Sequence, residues 1–267
     1  GLARSALGEH QAAITDFDKA IALNPAYAIA YNNRGIATAE LGEHQAAITD
    51  FDRAIALDSE YADAYDNRGI ARAELGEHQA AINDFGRAIA LNPEYISAYR
   101  YRGLAYNQME RFSEAIADYQ TLIRLDESWL DAIGVNLGLL LSYVGRYEEA
   151  VAINRSYLAK NPNDYTALYN LAVVLSRWKG TTEAKSEISE ARAILNTILD
   201  GENRSSSLYG LGGLEAIVGN ADSALAHLKE SAGLPDSSAE EWAKHDVAWL
   251  DLRTNPDFQR IVFGESQ

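Results

Sequence analysis

Eight residues, LGEHQAAI, occur at positions 7–14, 41–48 and 75–82, an offset of 34 residues each time. The residues after them match too: ITDFDKAIALNPAYAIAYNNRG, then ITDFDRAIALDSEYADAYDNRG, then INDFGRAIALNPEYISAYRYRG. A fixed period of this length marks an array in which each unit is one supersecondary element that buries its apolar face against the next. Two helices are legible in a period. The first is predicted over Ala28–Leu41, with Tyr31, Gly35 and Thr38 at helical spacing, and Gly42 closes it with the left-handed conformation that a helix C-terminus prefers. The second, over Glu43–Leu57, places Ala47, Ile48, Phe51, Ala54 and Ile55 on one stripe. Asn-Pro at 24–25 and 92–93 stops the helix before the next period.

These residues resemble the tetratricopeptide repeat (TPR) family: an aromatic, a Gly four places later, then Ala-x-x-x-Phe and Pro. Here the pattern reads Tyr31, Gly35, Ala47, Phe51; Tyr65, Gly69, Ala81, Phe85, Pro93; and Tyr99, Gly103, Ala115, Tyr119. The resemblance implies an all-α, right-handed α-solenoid of antiparallel helix hairpins, the TPR superhelix. Small residues let the two helices of a hairpin approach, and aromatics fill the larger gaps.

The signature continues more weakly. Gly138, Gly145, Ala150 and Pro162 mark a fifth hairpin, displaced 35 residues from Gly103, which places one inserted residue near Trp129. Leu171, Ala172 and Ala184 mark a sixth, whose second helix is predicted to run to about Leu199 because Asn196 stands where Pro is usual. A polar loop over Asp200–Ser207 then precedes a seventh hairpin with Gly212, Gly219 and Ala224. Helices are predicted over Ser238–Leu250 and Asn255–Phe263, with Trp242, Trp249 and Phe258 covering the last hairpin. The ending LRTNPDFQRIV resembles terminators of TPR arrays in bacterial signalling proteins. The expected organisation is an array over 1–200 and a TPR-like hairpin with capping helices over 201–267. Gly1 stands in register with Gly35 and Gly69, so the expectation is a fragment that opens inside a first helix.

Chemistry is sparse. The 23 Lys+Arg against 39 Asp+Glu leave a net charge of −16, which repels nucleic acid and anionic lipid. No apolar run reaches the roughly 18–20 residues of a membrane span. With no cysteine, disulfides and thiolate sites are excluded, in keeping with a reducing, cytoplasmic setting. His10, His44 and His78 lie one period apart, too far to share a metal ion at about 2.0–2.1 Å. Gly210, Gly212 and Gly213 resemble a phosphate loop superficially, since no strand precedes them. Sequons at Asn154 and Asn203 matter only for a secreted chain. The expectation is a non-enzyme without cofactor or metal.

For partner binding, the family resemblance implies a concave groove lined by first helices and filled by a peptide or protein segment. Two places before each marker Gly or Ala stand Asn33, Asn67, Tyr101, Asn136 and Asn170; an amide row can pair with a peptide backbone or tie neighbouring helices together. Three places before it stand Asn32, Asp66, Arg100, Val135 and Tyr169, and five places after it Glu40, Glu74, Gln108, Tyr143 and Arg177. The early groove is therefore acidic, through Glu40, Asp63, Asp66 and Glu74. The later groove carries Arg100, Asn107, Tyr143, Tyr169 and Arg177, residue types that anchor interfaces or fill gaps between hairpins. The carboxylate clamp of chaperone-binding TPR domains is not expected, because its lysines are absent and Asp63 has the wrong sign. Arg34, Arg68 and Arg102 form a second ladder, read mainly as partners of the chain's own carboxylates. The expected partner is a basic or apolar protein segment. Two alternatives are a regulatory part of a larger protease, kinase or cyclase, and self-association through the N-terminal edge.

Overall fold

Each period folds as an antiparallel helix pair, and the reason is visible at the glycine markers. A Cβ added at Gly35 would lie 2.6 Å from the Phe51 ring, at Gly69 2.6 Å from Phe85, and at Gly103 2.6 Å from Tyr119. Only a glycine lets the aromatic of the second helix lie flat on the first. A Gly of positive φ closes the junction: Gly42 at +80°, Gly76 at +77° and Gly145 at +76°. In the fourth hairpin Glu110 takes this place at φ 56° without the glycine.

The computed structural model describes residues 1–199, 203–235 and 237–264. Among these are sixteen α-helices and one 3-10 helix, grouped in two compact units that divide between Glu127 and Ser128, beside the inserted residue near Trp129. The first unit holds α1 (Leu2–Ala6), α2 (His10–Leu23), α3 (Ala28–Ala39), α4 (His44–Leu57), α5 (Ala62–Glu74), α6 (His78–Leu91), α7 (Ile96–Gln108) and α8 (Phe112–Leu125). The second holds α9 (Trp129–Tyr143), α10 (Tyr147–Lys160), α11 (Tyr165–Lys179), α12 (Lys185–Thr197), α13 (Arg204–Ile217), α14 (Ala221–Ala232), α15 (Ala239–His245), the 3-10 helix Val247–Leu252 and α16 (Pro256–Phe263). Within each unit the helices pair as hairpins and neighbouring hairpins pack on one another, so the architecture is a helical solenoid. None of the described helices is long and apolar enough to cross a membrane.

Several predicted boundaries move, beginning with the helix predicted over Ala28–Leu41, which ends at Ala39. The second helix of the sixth hairpin stops at Thr197 instead of Leu199, where the Asn196 amide and the Thr197 hydroxyl turn back onto the carbonyls of Arg192 and Ile194. Of the predicted loop over 200–207, Asp200, Gly201 and Glu202 lie outside the described residues, and α13 already begins at Arg204. The predicted helix Ser238–Leu250 breaks at Asp246, whose carboxylate accepts from the Ala248 N–H and starts the 3-10 helix. In the fifth hairpin the ring that would face Gly138 is replaced by Asn154, which is fully buried and donates to the Ala150 carbonyl. That sequon is closed to modification in the folded chain.

The arginine ladder ties the hairpins of the first unit together. Arg34 clasps Asp50 in the same hairpin and reaches Asp18 in the preceding one, and Arg68 repeats this with Asp84 and Asp52. Arg102 clasps Asp118, but the third carboxylate is missing because Gly86 stands where Asp18 and Asp52 stood. Each clasp joins Nε and Nη2 of one guanidinium to both oxygens of one carboxylate, the geometry that makes such pairs strong and directional.

Candidate partner-binding sites

In the first unit, the first helices α3, α5 and α7 supply most of a cavity of about 410 Å³. Ile36 and Ile70 give it an apolar wall, and Glu40, Glu74, Asn67 and Tyr101 a polar one. Glu40 and Glu74 are exposed at the ends of their helices, so both carboxylates remain hydrated. Asn67 does not stand free: its Nδ2 donates to Asn32 Oδ1 at 3.0 Å, from α5 to α3. One repeat on, Ser97 of α7 donates to Asp66 Oδ2 of α5 at 2.7 Å. The positions of Asn32 and Asp66 thus tie neighbouring first helices. Asn33, Arg100 and Asn107, the other expected contacts here, are half-buried and lie outside this cavity. Arg100 lays its guanidinium over the Tyr101 ring at 4.8 Å.

Asp66 is only 4% exposed and its Oδ1 has no hydrogen-bond partner. Burial, reinforced by the nearby Asp63 charge, pushes its pKa up to about 6 from 3.8, against the Ser97 hydrogen bond, which pulls it down. The folded state therefore keeps this proton after the unfolded chain has released it. Its contribution to stability is present below about pH 4, falls as pH rises towards 6, and is constant above. Asp66→Asn retains an acceptor for Ser97 and removes the charge. It is expected to stabilise the chain at pH 7 by on the order of 1–2 kcal/mol and to flatten this pH trend, as urea melts at pH 4.5 and 7 would show.

In the second unit, α9, α11 and α13 line a cavity of about 360 Å³, and α15 closes one side of it with Trp242. Four expected residues meet here: Asn136 and Tyr143 from α9, and Tyr169 and Asn170 from α11. Asn136 is exposed, whereas Asn170 is 4% exposed and its Nδ2 is without a partner. Tyr165, Tyr209 and Trp242 add three rings, with Tyr209 and Trp242 edge to face at 5.3 Å.

At the back of this cavity lies Asp246, which the sequence did not mark. Its Oδ2 accepts from the hydroxyls of Tyr169 at 2.7 Å and Tyr209 at 2.8 Å, and its Oδ1 from the Ala248 amide at 2.8 Å. Trp249 in turn donates to the Tyr209 hydroxyl at 3.1 Å. Burial raises the Asp246 pKa, and the Ala248 amide and the two hydroxyls restrain that rise. Burial and the Asp246 charge push both tyrosines well above their ordinary value, so they act as donors throughout the physiological range.

Three glycines on α13 make this network fit. A side chain at Gly213 would overlap the Tyr169 hydroxyl, one at Gly210 would lie 2.9 Å from Leu195, and one at Gly212 2.9 Å from Trp249. The GLGG stretch is thus helical packing, not a loop. Arg177 is not on the cavity wall. Its guanidinium donates to the carbonyls of Val247 and Ala248 and pairs with Asp251, which fixes the 3-10 helix against α11. Three of its five N–H groups are thus used inside the chain.

Family models for the tetratricopeptide repeat match residues 1–42, 37–76, 69–110, 102–128 and 135–177. The chain belongs to the tetratricopeptide repeat family. Comparison with curated proteins gives no match. Among solved structures, YrrB, described as a TPR protein with an unusual peptide-binding site, is similar over 67% of this chain and 91% of its own, at 25% identity and a TM-score of 0.61. A tetratricopeptide repeat protein from Parabacteroides merdae is similar over 92% of this chain and 95% of its own, at 19% identity and a TM-score of 0.58. MamA is similar over 62% of this chain and 97% of its own, at 20% identity and a TM-score of 0.55. The last two likenesses speak to the fold. The TPR match stops at residue 177, so Tyr209, Asp246 and Trp249 of this network lie beyond the part of the array that the family models cover, while Tyr169 lies within it.

Proposed function

We propose that this TPR chain is a protein-interaction scaffold that receives a peptide or protein segment on the concave face formed by its first helices, without chemistry of its own. The observation that carries the reading is that each unit has a cavity on its first-helix face, and the residues around it differ between the two units. Packing positions are held nearly constant along the repeats. Five places after the marker Gly the residue changes from Glu40 and Glu74 to Tyr143, the kind of difference that selective contact with a partner would use, while two places before it Asn33, Asn67 and Asn136 are alike. The peptide-binding site described for YrrB supports the same class of ligand. A short segment held in one cavity would bind at about micromolar strength, near −8 kcal/mol, and a longer one spanning several hairpins more tightly.

The test is an affinity capture that compares the native chain with two charge variants. One carries Glu40→Lys, Glu74→Lys and Asn136→Arg, all at exposed first-helix positions; the other carries Gln45→Arg and Thr49→Arg on the exposed side of α4. Both must first match the native circular dichroism spectrum. Loss of the captured protein from the first variant alone supports the reading. Its loss from the second alone places the contact on the second helices and overturns it.

A further inference from the structure

The cavity of the second unit has a composition that its packing role does not require. Five rings, those of Tyr143, Tyr165, Tyr169, Tyr209 and Trp242, surround the space, and the carboxylate of Asp246 lies behind them. No lysine or arginine is among the residues that line it. The hydrogen bonds to that carboxylate come from neutral groups, two hydroxyls and one amide. Arg253 sits close enough to moderate the charge, but its Nη2 donates to the Asp246 backbone carbonyl at 3.4 Å. Aromatic faces carry negative potential and attract a cation that has left water. Beside them the Asn170 Nδ2 is nine-tenths buried and unpartnered, a donor placed for an acceptor that the chain does not supply.

We infer that this cavity receives a lysine or arginine side chain of the partner segment, with the ammonium or guanidinium among the rings and in front of Asp246, and a main-chain carbonyl of the same segment on Asn170. The inference rests on the scaffold reading and adds the chemistry of the residue that is read. The chain's net charge of −16 would steer such a basic segment towards it and raise its rate of association. The α15 wall makes the cavity a pocket closed on one side, so a single extended side chain fits it better than a continuous strand.

The experiment titrates the full chain with capped pentapeptides, Ala-Ala-X-Ala-Ala, where X is lysine, arginine, norleucine, citrulline or glutamate. The readout is the indole N–H resonance of Trp242, assigned by its loss in Trp242→Phe. The lysine and arginine peptides should move this resonance and bind about tenfold more tightly than norleucine and citrulline, their uncharged counterparts. Asp246→Asn should remove the preference. Should that variant fail to fold, Tyr165→Ala, at a half-buried position on the rim, should reduce it to the norleucine level. Equal binding of norleucine and lysine, or a preference that survives in Tyr165→Ala, overturns the inference. If no peptide shows a cation preference while the native chain still captures its partner through Glu40, Glu74 and Asn136, the pocket inference fails and the scaffold reading stands. If capture is indifferent to those positions, the scaffold reading itself fails.

Discussion

Asp246→Ala is expected to lower the stability of the chain by about 3–5 kcal/mol, the largest loss from any single substitution considered for the second unit. The change removes one side chain but leaves three groups without their acceptor: the hydroxyls of Tyr169 and Tyr209 and the amide of Ala248. All three are largely buried, with Tyr169 7%, Tyr209 6% and Ala248 0% exposed. Each stranded donor costs about 1–3 kcal/mol, and the 3-10 helix loses its start. Asp246→Asn keeps one oxygen acceptor and should cost roughly half as much. Urea melts followed by tryptophan fluorescence check both values, because Trp249 donates to Tyr209 and reports the network directly. A loss below about 1 kcal/mol for the alanine variant would mean that the 3-10 helix is held by Arg177 and Trp249 alone.

The second large effect is expected at Arg102. Removing its guanidinium by Arg102→Met leaves Asp118, whose side chain is 5% exposed, buried without the partner that clasps both its oxygens. Burial already raises the Asp118 pKa, and Arg102 is what holds it down. The expected cost is about 3–5 kcal/mol at pH 7 and less at low pH, where Asp118 takes a proton in the folded state. The double variant Arg102→Met with Asp118→Leu should recover most of the loss, since the two side chains are then apolar and of similar volume. Arg34→Met should behave differently. It strands Asp50, whose side chain is 11% exposed, and also frees Asp18, which at 54% exposure is hydrated and costs little. Thermal melts of the three variants at pH 5 and pH 7 separate these cases. Equal losses at Arg34 and Arg102, with no pH dependence, would contradict the burial argument.

These two networks were unequally legible in the sequence. The arginine ladder has a signature: Arg34 and Asp50, Arg68 and Asp84, and Arg102 and Asp118 recur at the same separation in successive periods. Because both partners sit in one hairpin, the repeat that fixes the fold fixes the pairing too. The markers Gly35, Gly69 and Gly103 were legible for the same reason, as each meets the aromatic 16 residues later. Asp246 carried no such signal. Its partners lie 77 and 37 residues away, in hairpins where the repeat has faded, and an Asp after Trp-Ala-Lys-His reads as one more residue of a polar helix. The internal partners of Arg177 carried no signal for a related reason. Its place along α11 matches exposed Glu40 and Glu74, but on α11 the carbonyls of Val247 and Ala248 take up the side chain. Positional equivalence along an array predicts the environment of a side chain only while the neighbours repeat as well.

The candidate surfaces divide in the same way. Glu40, Glu74 and Asn136 are exposed at positions the repeat predicts. Asn67 is tied to Asn32 and Tyr169 to Asp246, so their polar groups shape the face rather than extend from it. A pattern can place a residue on the right face of a helix. Whether the residue is already satisfied there depends on partners one repeat away, and these vary.

The most direct measurement is a contact map of the partner on the native chain. A photo-crosslinking amino acid would be placed singly at Glu40, Glu74 and Asn136 on first helices, and at Gln45 and Thr49 on α4. If the first helices form the binding face, one partner is captured covalently from the first three positions and none from the last two. Capture confined to Gln45 and Thr49 would contradict that assignment and move the interaction to the second-helix face.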